Sequence, residues 1–273
     1  MNKVIENSLF KRNTARFQEL QRCVKEFNIS YNGSNIIQDD IYNILKNYAT
    51  KNNHHLEIFK LPIQDDDFCA FTCIREGQLF TVINSALPIS KQIFAAAHEL
   101  YHIWCYISDQ DDVLSHSGSF LTAECMDEQA VNREDIEANA FAGLLLVPAS
   151  LLYEQIEIYD IDRKQMNLDS VVRLMDIFAV PYKAILLRLF EENIISEKTV
   201  NQLAEEGTPD RLRISMQMRN IAERWQKRTP NEIDMGVLPN RVKQNKEAGL
   251  LSESRILEDE KQLEDMMAYL LRK

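Results

Sequence analysis

The sequence predicts a mainly helical α+β protein with a small antiparallel sheet. Glycine and proline are scarce, with seven of each among 273 residues, and long segments carry apolar residues at helical spacing. One stretch instead predicts a β-hairpin, because two runs rich in β-branched and aromatic residues, 68–74 and 79–84, flank a turn that contains Gly77. A hydrophobic content of 45% is enough for a substantial core.

Three elements are expected before the hairpin. Residues 8–28 and 37–49 predict two helices, and residues 56–62 predict a strand. His54 and His55 lie just before this strand. Adjacent side chains point in different directions, so we interpret the pair as part of a solvated loop or strand start rather than as metal ligands.

A helix that begins near Ser90 carries the pattern His-Glu-x-x-His. Residues four apart lie on one helix face, so His98 and His102 can present two imidazole nitrogens to one ion. Glu99 lies beside the first histidine, where its carboxylate can polarise a water molecule on that ion. Two histidines, a third protein ligand and an open fourth position are typical of a catalytic zinc site. Apolar flanking residues argue against a surface helix, because burying unpartnered polar groups costs several kcal/mol.

The third ligand is expected on a second buried helix further along the chain. Residues 109–128 are polar and acidic, and they predict an exposed loop with a short helix. Residues 134–147 begin with acidic side chains, which suit a helix N-terminus, and become almost wholly apolar before Pro148. Asp135 and Glu137 are the two candidate ligands there.

The two helices resemble the ImmA/IrrE family of zinc metallopeptidases, which is gluzincin-like. The likeness is carried by residues 98–102, by residues 137–148 some thirty positions later, by the strand residues 82–84 and by residues 177–189. It extends over roughly residues 55–195. The resemblance implies a zincin-type pair of active-site helices, against which the predicted sheet would pack.

The resemblance also implies a ligand set for Zn²⁺. The family's third ligand is a carboxylate four residues before the asparagine of the second helix, which here is Asp135, although the family more often has glutamate. Asn139 would then orient a ligand histidine. Glu137 stays as the alternative third ligand, because its longer side chain could reach the ion if the helix were rotated.

The predicted chemistry is metal-assisted hydrolysis of a peptide bond. Zinc on His98, His102 and Asp135 would activate a water molecule, and Glu99 would take its proton and deliver it to the leaving amine. The donor that would stabilise the oxyanion stays open among three residues: Tyr101, Tyr153 and His116.

Family resemblance also suggests the substrate. Members often cleave a helix-turn-helix repressor encoded nearby at one site, which relieves transcriptional repression of phage, mobile-element or stress genes. Two rival hypotheses are a non-catalytic regulatory or toxin–antitoxin partner that keeps the zinc fold, and a DNA-associated regulator. The sequence does not predict an oligomeric state.

Helical segments are also expected in the second half of the chain. Residues 168–178 and 182–190 have the spacing of a helix-turn-helix but few basic residues, so we expect them to pack beneath the active site. Residues 211–228 predict a basic amphipathic helix, which could bind nucleic acid or an acidic partner, or pack on its own acidic domain. Residues 252–271 predict a final helix. The apolar stripe of the basic helix would comprise Ile214, Met218, Ile221 and Trp225.

We therefore expect three regions: a helical extension over 1–53, a metallopeptidase domain over 54–195 and a helical region over 196–273.

A net charge of −11 argues against nucleic-acid binding by the molecule as a whole. Five cysteines without a CxxC pair, and no signal-peptide or membrane-spanning pattern, predict a cytoplasmic protein with free thiols and no membrane partner. We interpret Cys69 and Cys73 as core thiols.

Overall fold

A computed structural model describes residues 3–6, 8–31, 35–65, 67–75, 77–108, 119–122, 133–226 and 233–271. Thirteen α-helices and four β-strands lie within these ranges. The mainly helical α+β class is confirmed.

The N-terminal part of the chain forms four helices, α1 (Lys3–Glu6), α2 (Leu9–Arg12), α3 (Thr14–Tyr31) and α4 (Ile41–Lys51). The prediction of one continuous helix over 8–28 was wrong. The backbone of Asn13 leaves the helical region, with φ −151° and ψ 80°, and this separates α2 from α3. The apolar stripe of α3 is buried as predicted, and it includes Phe17, Leu20, Val24 and Phe27.

The sheet contains β1 (Leu56–Leu61), β2 (Phe68–Arg75), β3 (Gln78–Asn84) and β4 (Ser119–Thr122), in the order β1-β3-β2-β4. The predicted β2–β3 hairpin is confirmed, and Gly77 adopts the positive φ of 75° that its turn requires. The sheet is mixed rather than wholly antiparallel. Strand β3 lies between β1 and β2. It pairs parallel with β1 and antiparallel with β2. Strand β4 lies within the stretch that we had predicted to be a loop with a short helix.

A turn that leads from β3 into the next helix is fixed by buried side-chain amides. The amide oxygen of Asn84 accepts hydrogen bonds from the Ile63 and Ala86 backbone, each at 3.0 Å, and its nitrogen donates to two carbonyls at 2.9 and 3.0 Å. Gln92 donates to the Ser85 and Leu87 carbonyls. Helix α5 therefore starts at a fixed point behind the sheet.

Two helices form the centre of the core: α5 (Ile89–Ile107) and α6 (Arg133–Leu146). Helix α5 begins one residue before Ser90, with Pro88 in the N-cap position. Helix α6 begins with acidic residues and is then almost entirely buried, as predicted. The N-terminal helices belong to the same hydrophobic cluster as α5 and α6. Our division of the chain into three regions stays a prediction.

The remaining helices are α7 (Ala149–Ile158), α8 (Leu168–Phe178), α9 (Tyr182–Glu191), α10 (Glu197–Glu206), α11 (Pro209–Met218), α12 (Leu238–Glu247) and α13 (Glu253–Leu271). Helix α12 was not predicted. Among the described residues no single helix is both long enough and apolar enough to cross a bilayer. Helices α6 and α7 meet that test only when they are taken together across a 47° bend.

The predicted amphipathic helix over 211–228 was wrong. Helix α11 ends at Met218, Asn220 has a positive φ of 58°, and a short 3₁₀ turn over Ala222–Trp225 follows. Ile214 and Met218 are 50% and 84% exposed, so they do not share a buried face with Trp225. Residues 227 and 228 lie outside the described part of the chain.

Candidate active site

Helix α5 places three polar side chains inside the core. His98 and Glu99 are fully buried and His102 is 4% exposed. Helix α6 packs against α5 and contributes Asp135 and Asn139 to the same place. His98 and His102 thus lie on one face of α5, as the sequence predicted, and that face packs against α6.

The nitrogens of His98 point in two directions. Its Nδ1 lies 2.9 Å from the amide oxygen Oδ1 of Asn139, which can only accept, so we assign the proton to Nδ1. Its Nε2 then carries the free lone pair. That nitrogen lies 3.2 Å from Nε2 of His102 and 3.8 Å from Oδ1 of Asp135.

These three side chains fit a metal ion. One ligand atom from each of His98, His102 and Asp135 lies within 4.8 Å of the others. Two nitrogens bound to one tetrahedral zinc at about 2.0–2.1 Å would be about 3.3 Å apart, close to the 3.2 Å between the two imidazoles. No other group of three such residues is found in the part of the chain that the structure describes.

Burial keeps both imidazoles neutral at ordinary pH. It lowers the pKa of His98 well below its usual value, and the neighbouring His102 lowers it further. Burial also lowers the pKa of His102, to about 4. Neutral histidines have lone pairs available for a cation, so the electrostatics suit the donor set.

Glu99 is a buried carboxyl beside the first histidine. Neither of its oxygens has a hydrogen-bond partner among the described residues. Burial raises the pKa of Glu99 to about 8, and the charge of Asp135 adds to the rise. The nearby Thr72 side chain lowers this pKa, but by less than burial raises it. An unsatisfied buried carboxyl is costly and is typical of a functional site.

Glu137, the alternative third ligand, is engaged elsewhere. Its Oε2 accepts hydrogen bonds from Nε of Arg16 and from the hydroxyl of Tyr101, both at 2.8 Å, and its Oε1 accepts from Arg133 at 3.1 Å. Burial alone would raise the pKa of Glu137, but these donors outweigh it and the pKa is lowered. The geometry therefore favours Asp135 over Glu137 as the third ligand.

The two candidate oxyanion donors that the structure describes, Tyr101 and Tyr153, are bonded to other groups. Tyr101 donates its hydroxyl hydrogen to Glu137, and Tyr153 donates to the backbone carbonyl of Glu192 at 3.0 Å. His116 lies outside the described residues, as do Cys125 and the acidic stretch on either side of β4.

Other residues that the sequence singled out lie apart from this centre. The ring of His54 contacts Tyr106, and His55 pairs with Glu57 at 2.6 Å. Cys69 is buried and Cys73 partly buried in β2, and neither forms a disulfide bond with another described residue. Sequence reasoning missed Arg16. A useful signal was available, because Glu137 stands between apolar residues of a buried helix and needs a cation.

A comparison with known protein families finds a match, and this match includes the candidate site. A sequence model of the Peptidase M78 family, described as the IrrE N-terminal-like domain, matches residues 52–190, slightly more than half of the chain. The match begins before β1 and includes both helices of the site. No curated protein matches the chain.

Proposed function

The chain belongs to the Peptidase M78 family, and we propose that it is a zinc-dependent endopeptidase with a narrow protein substrate. One observation supports this function above all others. The imidazoles of His98 and His102 and the carboxylate of Asp135 converge beside Glu99, whose buried carboxyl has no hydrogen-bond partner in the described structure.

In this mechanism His98, His102 and Asp135 would hold the metal. When bound, zinc would supply a Lewis acid that activates water and polarises the scissile carbonyl. Asn139 accepts from Nδ1 of His98 and so keeps its Nε2 directed at His102. This hydrogen bond fixes both the tautomer and the ring orientation.

Glu99 is the proposed general base. Burial raises the pKa of this carboxyl in the metal-free protein, and a cation held by the adjacent histidines would favour the ionised carboxylate, the form that can accept a proton from the attacking water. The resulting carboxylic acid can then protonate the leaving amine nitrogen. Burial serves both steps, because it raises the proton affinity and excludes bulk water.

We propose a helix-turn-helix repressor as the substrate, cleaved at one site to relieve repression. The support is the resemblance of residues 98–102 and 137–148 to a family in which such repressors are frequent substrates. A narrow substrate also suits a ligand set that is almost fully buried, because an extended chain must reach it in one particular pose.

Nucleic-acid binding by the basic residues after Gly207 gains little support. Each described arginine of this stretch lies within 4 Å of a carboxylate of the same chain. The pairs are Arg211–Glu206, Arg213–Asp210, Arg219–Asp169 and Arg224–Asp176. The pairs of Arg219 and Arg224 reach helix α8 and favour the interpretation that the segment packs on its own acidic domain, whereas the other two pairs are local. We therefore do not propose DNA binding.

The proposed function is tested by incubating the purified chain with the repressor encoded beside its gene. Intact mass spectrometry would follow the repressor with and without a metal chelator. We expect two fragments from a single cleavage and no cleavage in the presence of the chelator. Cleavage should return when zinc is added in excess. Cleavage that persists in the chelator would contradict the metal mechanism.

A further inference from the structure

A charged cluster links the two helices of the candidate site to an N-terminal helix. Glu137 lies on α6 between Asp135 and Asn139, and its side chain is 5% exposed. Residues two apart point to nearly opposite sides of a helix, so Glu137 faces away from the histidines and towards α3. There Arg16 approaches it with both Nε and one terminal nitrogen, each at 2.8 Å from Oε2.

The same carboxylate is bonded to α5. Tyr101, the residue before His102, donates to Glu137 at 2.8 Å, and its ring lies 5.6 Å from the ring of His102. Arg16, Glu137 and Tyr101 therefore connect α3, α6 and α5 in one network. The two helices that it ties together are those that carry the candidate metal ligands.

Arg16 lies outside the family match at residues 52–190. Its helix nevertheless packs on α6, as the edge contact of Phe27 with Phe141 at 6.0 Å shows. A charge-assisted contact from a guanidinium is directional, and this one is largely shielded, since the Arg16 side chain is 27% exposed. It compensates the buried charge of Glu137, which would otherwise be strongly unfavourable.

We propose that Arg16 is a positioning residue of the metal centre. Its contact with Glu137 holds α6 at the distance from α5 at which Asp135 reaches His98 and His102. Without it, the uncompensated carboxylate of Glu137 would seek water and displace the first turn of α6. Because Asp135 lies in that turn, the ligand set would loosen. The proposal rests on the proposed function, since it presumes that the three residues bind zinc.

Arg133 provides a matched control. It also donates to Glu137, at 3.1 Å, but its side chain is 79% exposed and lies on the same helix four residues away. A contact made by so exposed an arginine within one helix contributes little, because solvent screens its charge. Replacing Arg133 removes a cation from the same carboxylate without removing the connection between α3 and α6.

The test is the zinc affinity of the full chain, measured by competition with a zinc-chelating dye. We expect Arg16→Met to raise the zinc Kd about tenfold, the lower bound of the effect of removing a direct hydrogen-bond partner of a metal ligand, because Arg16 acts through Glu137 and not on a ligand itself. Arg133→Met should change it less than about twofold. Arg16→Lys should fall between them, because one ammonium replaces a two-nitrogen contact. The d–d spectrum of the Co²⁺-loaded protein should also shift in Arg16→Met.

An unchanged zinc Kd in Arg16→Met, with only a lower melting temperature, would overturn the proposal and leave Arg16 a purely stabilising role. Where Arg16→Met does not fold, Arg16→Lys decides, and a Kd equal to that of the unmodified protein counts against the proposal. Failure of the unmodified chain to bind zinc would instead contradict the proposed function, and this inference with it.

Discussion

We predict that the ionisation of Glu99 determines how metal affinity changes with pH. In the metal-free protein, burial raises the pKa of this carboxyl to about 8, so it is protonated over most of the neutral range. A cation on the adjacent histidines favours the ionised carboxylate. Metal binding therefore displaces a proton from Glu99, and acidification opposes binding.

The magnitude follows from the pKa values. For a group with a pKa of about 8 that ionises fully on binding, lowering the pH from about 7.5 to about 5.5 weakens affinity by up to about 80-fold. His102, whose pKa burial lowers to about 4, adds almost nothing in this interval. His98, lowered well below its usual value, behaves likewise. Two exposed histidines with pKa values near 6.5, both of which must lose a proton to bind the metal, would instead weaken metal affinity about 100-fold over the same pH interval.

The assay compares the unmodified protein with Glu99→Gln, which has the same shape and no titrating proton. Zinc affinity is measured by chelator competition at both pH values, corrected for the chelator's own protonation. On lowering the pH, we expect zinc affinity to fall by up to about 80-fold in the unmodified protein and by less than about threefold in Glu99→Gln. Equal losses in the two proteins would refute the assignment to Glu99. A loss of about 100-fold in Glu99→Gln would show that the histidines titrate as exposed groups.

Two further predictions concern the metal ligands and the core. Asp135→Asn should weaken zinc binding by more than about 100-fold in a chelator competition, since it removes a charged ligand and not merely a partner of one; near-normal affinity would mean that another carboxylate is the third ligand. Arg188 is 2% exposed and pairs with the equally buried Glu191 at 2.6 Å, so Arg188→Met should lower the free energy of unfolding in urea by about 3–5 kcal/mol because it leaves a buried charge unpaired. The double variant Arg188→Met with Glu191→Leu should recover part of that loss, and a single variant as stable as the unmodified chain would show that the pair is not structural.

The sequence was most informative where one local pattern determined several side chains. The i, i+4 spacing of His98 and His102 fixes their common face on any helix, and the alanines before them predict its burial. The acidic start and apolar remainder of residues 134–147 likewise predicted a buried helix that could supply a carboxylate as the third metal ligand. Deciding between Asp135 and Glu137 required the rotation of α6 about its axis, which depends on how α6 packs against α3 and α5.

Other features depended on partners far away in the chain. Strand β1 pairs in parallel with β3 and not with its sequence neighbour β2. A strand's own residues do not encode which strand it will pair with. The contact between Arg16 and Glu137 joins residues 121 positions apart. The break after Met218 is a local one that propensity alone did not reveal, because Asn220 tolerates the positive φ without a glycine or proline to mark it.

The most direct measurement of whether this chain is a metal-dependent peptidase is single-turnover cleavage of the neighbouring repressor by zinc-loaded Glu99→Gln and unmodified protein. The zinc content of both would be determined by elemental mass spectrometry. We expect equal zinc content and a cleavage rate about 10²–10⁴-fold lower in Glu99→Gln, the usual contribution of a general base. Equal cleavage rates at equal zinc content would contradict the role of Glu99 and the proposed hydrolytic mechanism.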